Sequence, residues 1–335
     1  MSKRVLVAAD WMNLEGRLTA FYSGDTTLQA MLDEELAGGP KVHARTAAML
    51  YPGCTPANAK DYKINLQGQE MAAYDGGKRL RHGWHYGMKE RKMAQTFWIS
   101  TSEAARINAA MTKLHPEIPK WWQRLGDEVF GVARYACQRC GASRLYVGGT
   151  CEACSSRYPV NMSWVGWDRE PTQVLYTPFG RRRIYLGRRS ECMNALISQL
   201  PQSSGASMWY RTLSRLHGVD IDGSKWPTPK NTRVWWERTY AQLALWRKDY
   251  ETQVLTGTYD SFLTETLDDM VEDVIQWKVW TMEQPWPQLG GLRVPAEVEV
   301  GENWGTFDKR NPKANPGGLA PYPIKPFTAT WKGVR

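Results

Sequence analysis

The chain opens on a continuous apolar run, Val5-Leu6-Val7-Ala8-Ala9, that ends at Asp10. A run of that length closed by a charge predicts a buried strand from Arg4 to Ala9. Helical spacing follows from Leu14 to about Leu36, interrupted at Ser23-Gly24-Asp25, and resumes from Val42 to Leu50 beyond the Gly38-Gly39-Pro40 turn. Pro52 to Pro56 reads as loop, and Glu70 to Thr96 as mostly helical despite Gly76-Gly77 and Gly83. Two further helices are predicted at Ser100–Leu114, capped at Ser102-Glu103, and at Ile118–Val129. Gln173 to Leu186 reads as a hairpin around Thr177-Pro178-Phe179-Gly180. Met193–Leu216 and Val234–Asp249 carry helical patterns. Val254–Thr266 is a second hairpin, turning at Tyr259-Asp260-Ser261. Leu267–Met282 is helical again, and Ala296–Val300 alternates as a strand. After Trp304 the periodicity fades into Asn311-Pro312, Pro316-Gly317-Gly318, Pro321 and Pro323, which predict an extended tail.

Composition narrows the class. A chain of 335 residues has room for about two domains. Its 42% hydrophobic and 23% charged residues are ordinary for a globular protein. The net charge of +9 favours a polyanionic partner. The 17 Trp and 15 Tyr are mostly assigned to the core, with base-stacking platforms as the other use. No run approaches the roughly 20 apolar residues of a membrane helix, and the apolar start is too short for a signal peptide. The sequence therefore predicts a cytosolic protein with no membrane association. Four of the six cysteines form two Cys-x2-Cys pairs, which in a reducing compartment point to metal rather than disulfides.

Three groups of residues carry candidate chemistry. Asp10 and Asp260 each end a short β-prone apolar run. Two carboxylates on adjacent strand ends can hold a pair of Mg²⁺ ions for in-line phosphoryl transfer, although many surface strands end in Asp. Lys78, His82 and Tyr86 recur at four-residue spacing and share one face of a helix. That stripe suits a nucleoside triphosphate, the lysine taking phosphate charge and the rings flanking sugar and base. It also describes a basic solvated helix with two rings in the core, the reading that spacing alone favours. The third group, Cys137-x2-Cys140-x10-Cys151-x2-Cys154, has the spacing of a zinc ribbon with four thiolates around a structural Zn²⁺. No βαβ pattern surrounds the pairs to support a redox role. A ribbon this small has little core, so zinc would largely drive its folding. Arg134, Arg139, Arg144 and Arg157 make it basic, leaving DNA contact, a partner contact and plain stabilisation open. Cys54 and Cys192 read as buried thiols.

Taken in order, these segments resemble the family A (DNA polymerase I-like) DNA polymerases. Asp10, Glu15 and Arg17 match the Asp-x4-Glu-x-Arg of motif A. Val42-His43-Ala44-Arg45-Thr46-Ala47 resembles the family's Ile-His-x2-Thr-Ala element. Lys78, His82, Tyr86 and Gly87 fit motif B, Arg-x3-Lys-x3-(Phe/Tyr)-x3-Tyr-Gly. Gly180-Arg181-Arg182-Arg183-Ile184-Tyr185-Leu186 resembles a Gly-Arg-Arg-x-Tyr-Leu element, and Leu200-Pro201-Gln202-Ser203-Ser204-Gly205-Ala206 resembles a Pro-x-Gln-Gly-(Ser/Thr)-Ala-Ala helix. Tyr259-Asp260-Ser261 resembles motif C, and Val298-Glu299-Val300-Gly301-Glu302-Asn303-Trp304 the closing Val-Glu-Val-Gly-x-Asn-Trp.

The resemblance implies an α/β (α+β) fold, a polymerase palm sheet with a mostly helical fingers subdomain and an inserted zinc ribbon. Palm would occupy residues 1–19, fingers 20–134, the ribbon 135–158, the return to palm 159–304 and the tail 305–335. It also implies a template-directed DNA polymerase core that binds primer-template DNA and dNTPs. Asp10 and Asp260, with the main-chain carbonyl of Trp11, would ligate two Mg²⁺. Lys78 and His43 would contact the triphosphate, and His82 and Tyr86 would lie near the incoming nucleotide. Glu15 would close the space near the sugar 2′ position and favour deoxynucleotides. Gln202 would sit against the minor groove, and Arg181 and Arg182 would contact DNA. The sequence departs from the family where Tyr74 stands in place of the motif B arginine, with Arg79 and Arg81 as the nearby candidates to replace it. His82 replaces Phe or Tyr, Tyr259 replaces His, and Ser261 replaces the common Glu. Family members carry a thumb and often an exonuclease ahead of motif A. The expectation here is a split polymerase, with a second subunit supplying thumb and remaining palm, of bacteriophage type and acting in the host cytoplasm. The rival readings are a non-catalytic DNA-binding or accessory protein on a polymerase scaffold, and a terminal transferase or RNA-making enzyme using the same metals.

Overall fold

A computed structural model of the chain describes residues 3–66, 68–145, 154, 162–220, 222–225, 252–258, 260–309 and 311–324. The helix predicted at Val234–Asp249 lies outside those residues, as do Cys151, Arg157 and Tyr259. The strands are β1 (Arg4–Trp11), β2 (Lys63–Leu66), β3 (Gln69–Ala72), β4 (Val132–Cys137), β5 (Ser143–Leu145), β6 (Met162–Arg169), β7 (Val174–Tyr176), β8 (Arg182–Ile184), β9 (Thr252–Thr258), β10 (Ser261–Leu267), β11 (Ala296–Gly301) and β12 (Ala320–Pro321). The helices are α1 (Leu14–Ser23), α2 (Thr26–Leu36), α3 (Val42–Leu50), α4 (Ala73–His85), α5 (Glu90–Phe97), α6 (Thr101–Leu114), α7 (Glu117–Phe130), α8 (Arg189–Leu216) and α9 (Val271–Met282). No helix among the described residues is long and apolar enough to cross a membrane.

Contacts divide the chain into a sheet unit, Met1–Glu15 with Ser204–Arg335, and a helical unit, Gly16–Ser203. The sheet unit is built on an antiparallel sheet of order β12-β11-β1-β10-β9. Burial along β1 alternates at its end, with Val7, Ala9 and Trp11 inside, as a strand covered on one face requires. The cover is α9, whose Val274, Ile275, Trp277 and Met282 are buried. Trp11 packs edge-on against Phe262 at 5.7 Å and donates its indole N–H to the Met282 carbonyl. Trp209 of α8 stacks on the same Phe262. The buried Lys278 of α9 donates to the carbonyls of Val7 and Phe262, 2.6 Å each, and so joins β1 to β10. The described residues beyond Trp304, expected as an extended tail, turn back and add β12 to the sheet edge, where the Tyr322 amide donates to the Val298 carbonyl.

The helical unit packs α2–α7 and the first half of α8 around one core that includes Leu28, Leu80, Trp84, Ile107, Trp121 and Leu196. Glu70–Ala72, predicted as helix, is instead strand β3. It pairs with β2 from Lys63↔Ala72 to Leu66↔Gln69, and the helix begins only at Ala73. The cap of α6 is Ser100 rather than Ser102, its hydroxyl accepting the Glu103 amide at 3.1 Å. Strands β5-β4-β6 make a separate small sheet carrying the cysteine-rich segment.

Candidate active site

The two carboxylates that sequence spacing singles out are brought together by strand register. In the β1–β10 ladder Asp10 lies opposite Ser261, and the Trp11 amide donates to the Asp260 carbonyl at 3.1 Å. Asp10 and Asp260 therefore sit at neighbouring ends of adjacent strands. Side chains alternate along a strand, so Asp10 points away from the buried face occupied by Ala9 and Trp11. The N–H and C=O of one strand residue point the same way, so the Trp11 carbonyl also faces the Asp260 side. The Trp11 side chain is core. Asn13, at φ 53°, turns the chain from β1 into α1 and delivers Glu15 in the first turn of that helix. Two carboxylates and a carbonyl are the hard oxygen donors that Mg²⁺ takes.

In the helical unit, α3 and α4 pack at backbone distance. A Cβ on Gly77 would stand 2.7 Å from the Ala47 amide and closer still to the His43 carbonyl, so only glycine permits this approach. The contact sets His43 against α4. Its ring lies 5.4 Å from that of His82 and meets Tyr74 edge-on at 5.8 Å, while the ammonium of Lys60 stands over the Tyr74 ring, 5.5 Å from its centre. The Nδ1 of His43 is buried with no hydrogen-bond partner. Burial, reinforced by His82, Arg81, Lys78 and Lys41, pushes the His43 pKa down to about 2 and keeps the ring neutral. Lys78 is exposed one turn after Tyr74.

Arg81, a candidate replacement for the missing motif B arginine, is committed elsewhere. It is 2% exposed, donates to the Thr46 hydroxyl at 2.7 Å and stands 3.1 Å from His115 Nε2, whose Nδ1 lies 3.0 Å from an Asp25 carboxylate oxygen. That buried chain ties α4 to α3, α6 and α2. With Arg81 a donor only, His115 accepts at Nε2 and donates from Nδ1 to Asp25.

Tyr86, the C-cap of α4, and the exposed Gln202 of α8 share one open groove of about 640 Å³. Lys89, Arg91 and Lys92 line it with them. Sequence reading missed those three cations, although the charge run Lys89-Glu90-Arg91-Lys92 just after Gly87-Met88 was the available signal. Arg181 and Arg182 are exposed on the β7–β8 hairpin. The sulfur atoms of Cys137, Cys140 and Cys154 lie within 4.8 Å of one another and form a group able to hold a metal ion. The Cys140 amide donates toward Cys137 and holds that thiol below its usual pKa range, which favours the ligating thiolate.

The fold is shared with a DNA polymerase domain. The POL domain of Pol1 from M. smegmatis, solved in complex with DNA primer-template and dNTP, superposes with a TM-score of 0.52 at 16% identity, covering 89% of this chain and 39% of that one. In sequence the chain is similar to a thermostable DNA polymerase I of Thermus filiformis, 28% identical over 140 residues, which is 39% of this chain and 15% of that enzyme's length. No family model matches the chain.

Proposed function

We propose that the chain is the catalytic core of a template-directed DNA polymerase of family A type. The observation that carries the proposal is the β1–β10 register, with Asp10 opposite Ser261 and the Trp11 amide on the Asp260 carbonyl. Asp10, Asp260 and the Trp11 carbonyl would hold two Mg²⁺. Such a pair, when bound, lowers the pKa of a primer 3′-hydroxyl and neutralises a pyrophosphate leaving group. Lys78 would meet triphosphate charge. His43, neutral and with a free ring nitrogen, would serve as a hydrogen-bond partner rather than a charge. His82 and Tyr86 would border the incoming nucleotide, and Glu15 would crowd the sugar 2′ position. Gln202, Arg181 and Arg182 would contact DNA. The solved polymerase domain with primer-template and dNTP supports binding of both ligands here. We assign Cys137, Cys140, Cys151 and Cys154 to a structural Zn²⁺, on the donor set and the clustering of the three described sulfurs.

Primer extension on a primed template with Mg²⁺ tests the assignment, with dNTPs and rNTPs offered separately. Wild type should incorporate dNTPs under template direction. Asp10→Ala and Asp260→Ala should each lower the rate by more than about a hundredfold. Incorporation that appears only when a second polypeptide from the same source is added identifies a two-chain enzyme. A wild-type rate equal to that of Asp260→Ala under both conditions leaves a DNA-binding scaffold as the function.

A further inference from the structure

Tyr74, Lys78 and His82 lie one turn apart on a single face of α4, so a polyanion laid along that face passes all three. Lys78 is the exposed cation on it. Tyr74 contributes a ring and no charge. Arg79 follows Lys78 directly and points off the face, and Arg81 is buried on Thr46 and His115. The charge that reaches the Tyr74 position comes from elsewhere in the chain. Lys60, exposed in the turn after α3, holds its ammonium 5.5 Å from the Tyr74 ring centre.

The position of Lys60 is built into the backbone. Ala59, fully buried, accepts the Tyr74 amide on its carbonyl at 2.9 Å. Tyr62 accepts the Ala73 amide at 2.8 Å, and Asn58 accepts the amides of Asp61 and Tyr62. The turn that carries Lys60 is thus stitched to the first residues of α4. Its ammonium shares the Tyr74 ring with His43, whose buried Nδ1 has no hydrogen-bond partner.

We propose that Lys60 is the second phosphate-binding cation of this site and contacts the outermost phosphate of the dNTP. The inference rests on the nucleotide site proposed above. Tyr86 ends α4, Lys78 lies about 12 Å before it and Tyr74 about 6 Å further, at 1.5 Å per residue. A nucleotide with its base at Tyr86 runs its phosphates past Lys78 toward Tyr74 and Lys60. The cation held over the ring is drawn off it by a phosphate, the stronger partner for an ammonium.

The test is equilibrium dialysis of dNTP and dNDP against the full chain in Mg²⁺. Variants are Lys60→Ala, Lys60→Arg, Lys78→Ala and the double variant Lys60→Ala/Tyr74→Arg. Lys60→Ala should weaken dNTP about tenfold, the loss of one charge-assisted contact. It should leave dNDP within about twofold, and Lys60→Arg and Tyr74→Arg in the Lys60→Ala background should each restore dNTP affinity. Thermal unfolding of each variant separates a folding defect from a lost contact. Unchanged dNTP affinity in Lys60→Ala beside a loss in Lys78→Ala overturns the role of Lys60 and leaves the nucleotide site standing. Equal weakening of dNTP and dNDP overturns the assignment to the outermost phosphate. Wild-type protein that binds neither nucleotide overturns the nucleotide site and this inference with it.

Discussion

His43 sits 95% out of solvent among rings and cations, and its titration follows from that address. Burial first, then the charges of His82, Arg81, Lys78 and Lys41, hold it neutral down to about pH 2. His85, His115 and His217 are shifted in the same direction by burial, His115 in spite of its bond to Asp25 and His217 in spite of the Leu213 carbonyl. All four have folded pKa values below the ordinary 6.5. The unfolded chain takes up protons below about pH 6.5 that the folded chain refuses. Stability is therefore fully present above that pH and is lost as pH falls from about 6.5 toward the folded values, by up to about 1.4 kcal/mol per pH unit for each histidine. Urea unfolding should give a constant midpoint between pH 8 and 7 and a steep drop between pH 6.5 and 5. A midpoint that stays level down to pH 5 counts against the burial of these rings. The types and spacing of the candidate residues were legible in the sequence. The neutrality of His43 was not, because it depends on charges that helix packing gathers around it.

Among elements, the α3–α4 pair decides where the basic stripe of α4 can work. Gly76-Gly77 looked like an interruption of a helix, since glycine costs about 1 kcal/mol relative to alanine in a helix interior. In the fold it is the contact, because the α3 backbone occupies the space a Gly77 Cβ would need. Gly77→Ala should destabilise the protein by about 2 kcal/mol in spite of its better helix propensity. Gly83→Ala should not, since its Cβ would crowd the Cε and Sδ of the flexible Met88 side chain and meets the Met88 Cβ at ordinary contact distance. Denaturant unfolding of the two variants side by side reads the difference, and equal stability would remove the close approach from the explanation. Helices α1, α2, α3 and α7 and both hairpins, β7–β8 and β9–β10, were legible from periodicity and turn residues. Strand β3 was not. Gln69–Ala72 carries no strong local preference, and cross-strand pairing with Lys63–Leu66 settles its state.

Across the whole molecule, two kinds of metal site are expected from two donor chemistries. Carboxylates at the ends of β1 and β10 suit exchangeable Mg²⁺, and the thiolates of the β4–β6 segment suit a tightly held Zn²⁺. Metal analysis after extensive dialysis should find about one zinc per chain in wild type and a large loss in Cys140→Ser, with zinc unchanged in Asp260→Ala. Zinc retained in full by Cys140→Ser would reassign the cysteines. By itself the sequence determined most of the helices, the strands β1 and β11, the two hairpins and the residue types at each candidate position, because apolar periodicity, turn chemistry and Cys-x2-Cys spacing are local properties. Only the tertiary structure decided which of these residues meet. Register set Asp10 beside Asp260 across some 250 residues of chain. A turn hydrogen-bonded to α4 put Lys60 over Tyr74, and burial withdrew Arg81 from solvent into a chain of hydrogen bonds with Thr46, His115 and Asp25. Those outcomes depend on long-range pairing and desolvation, which no short window of sequence contains.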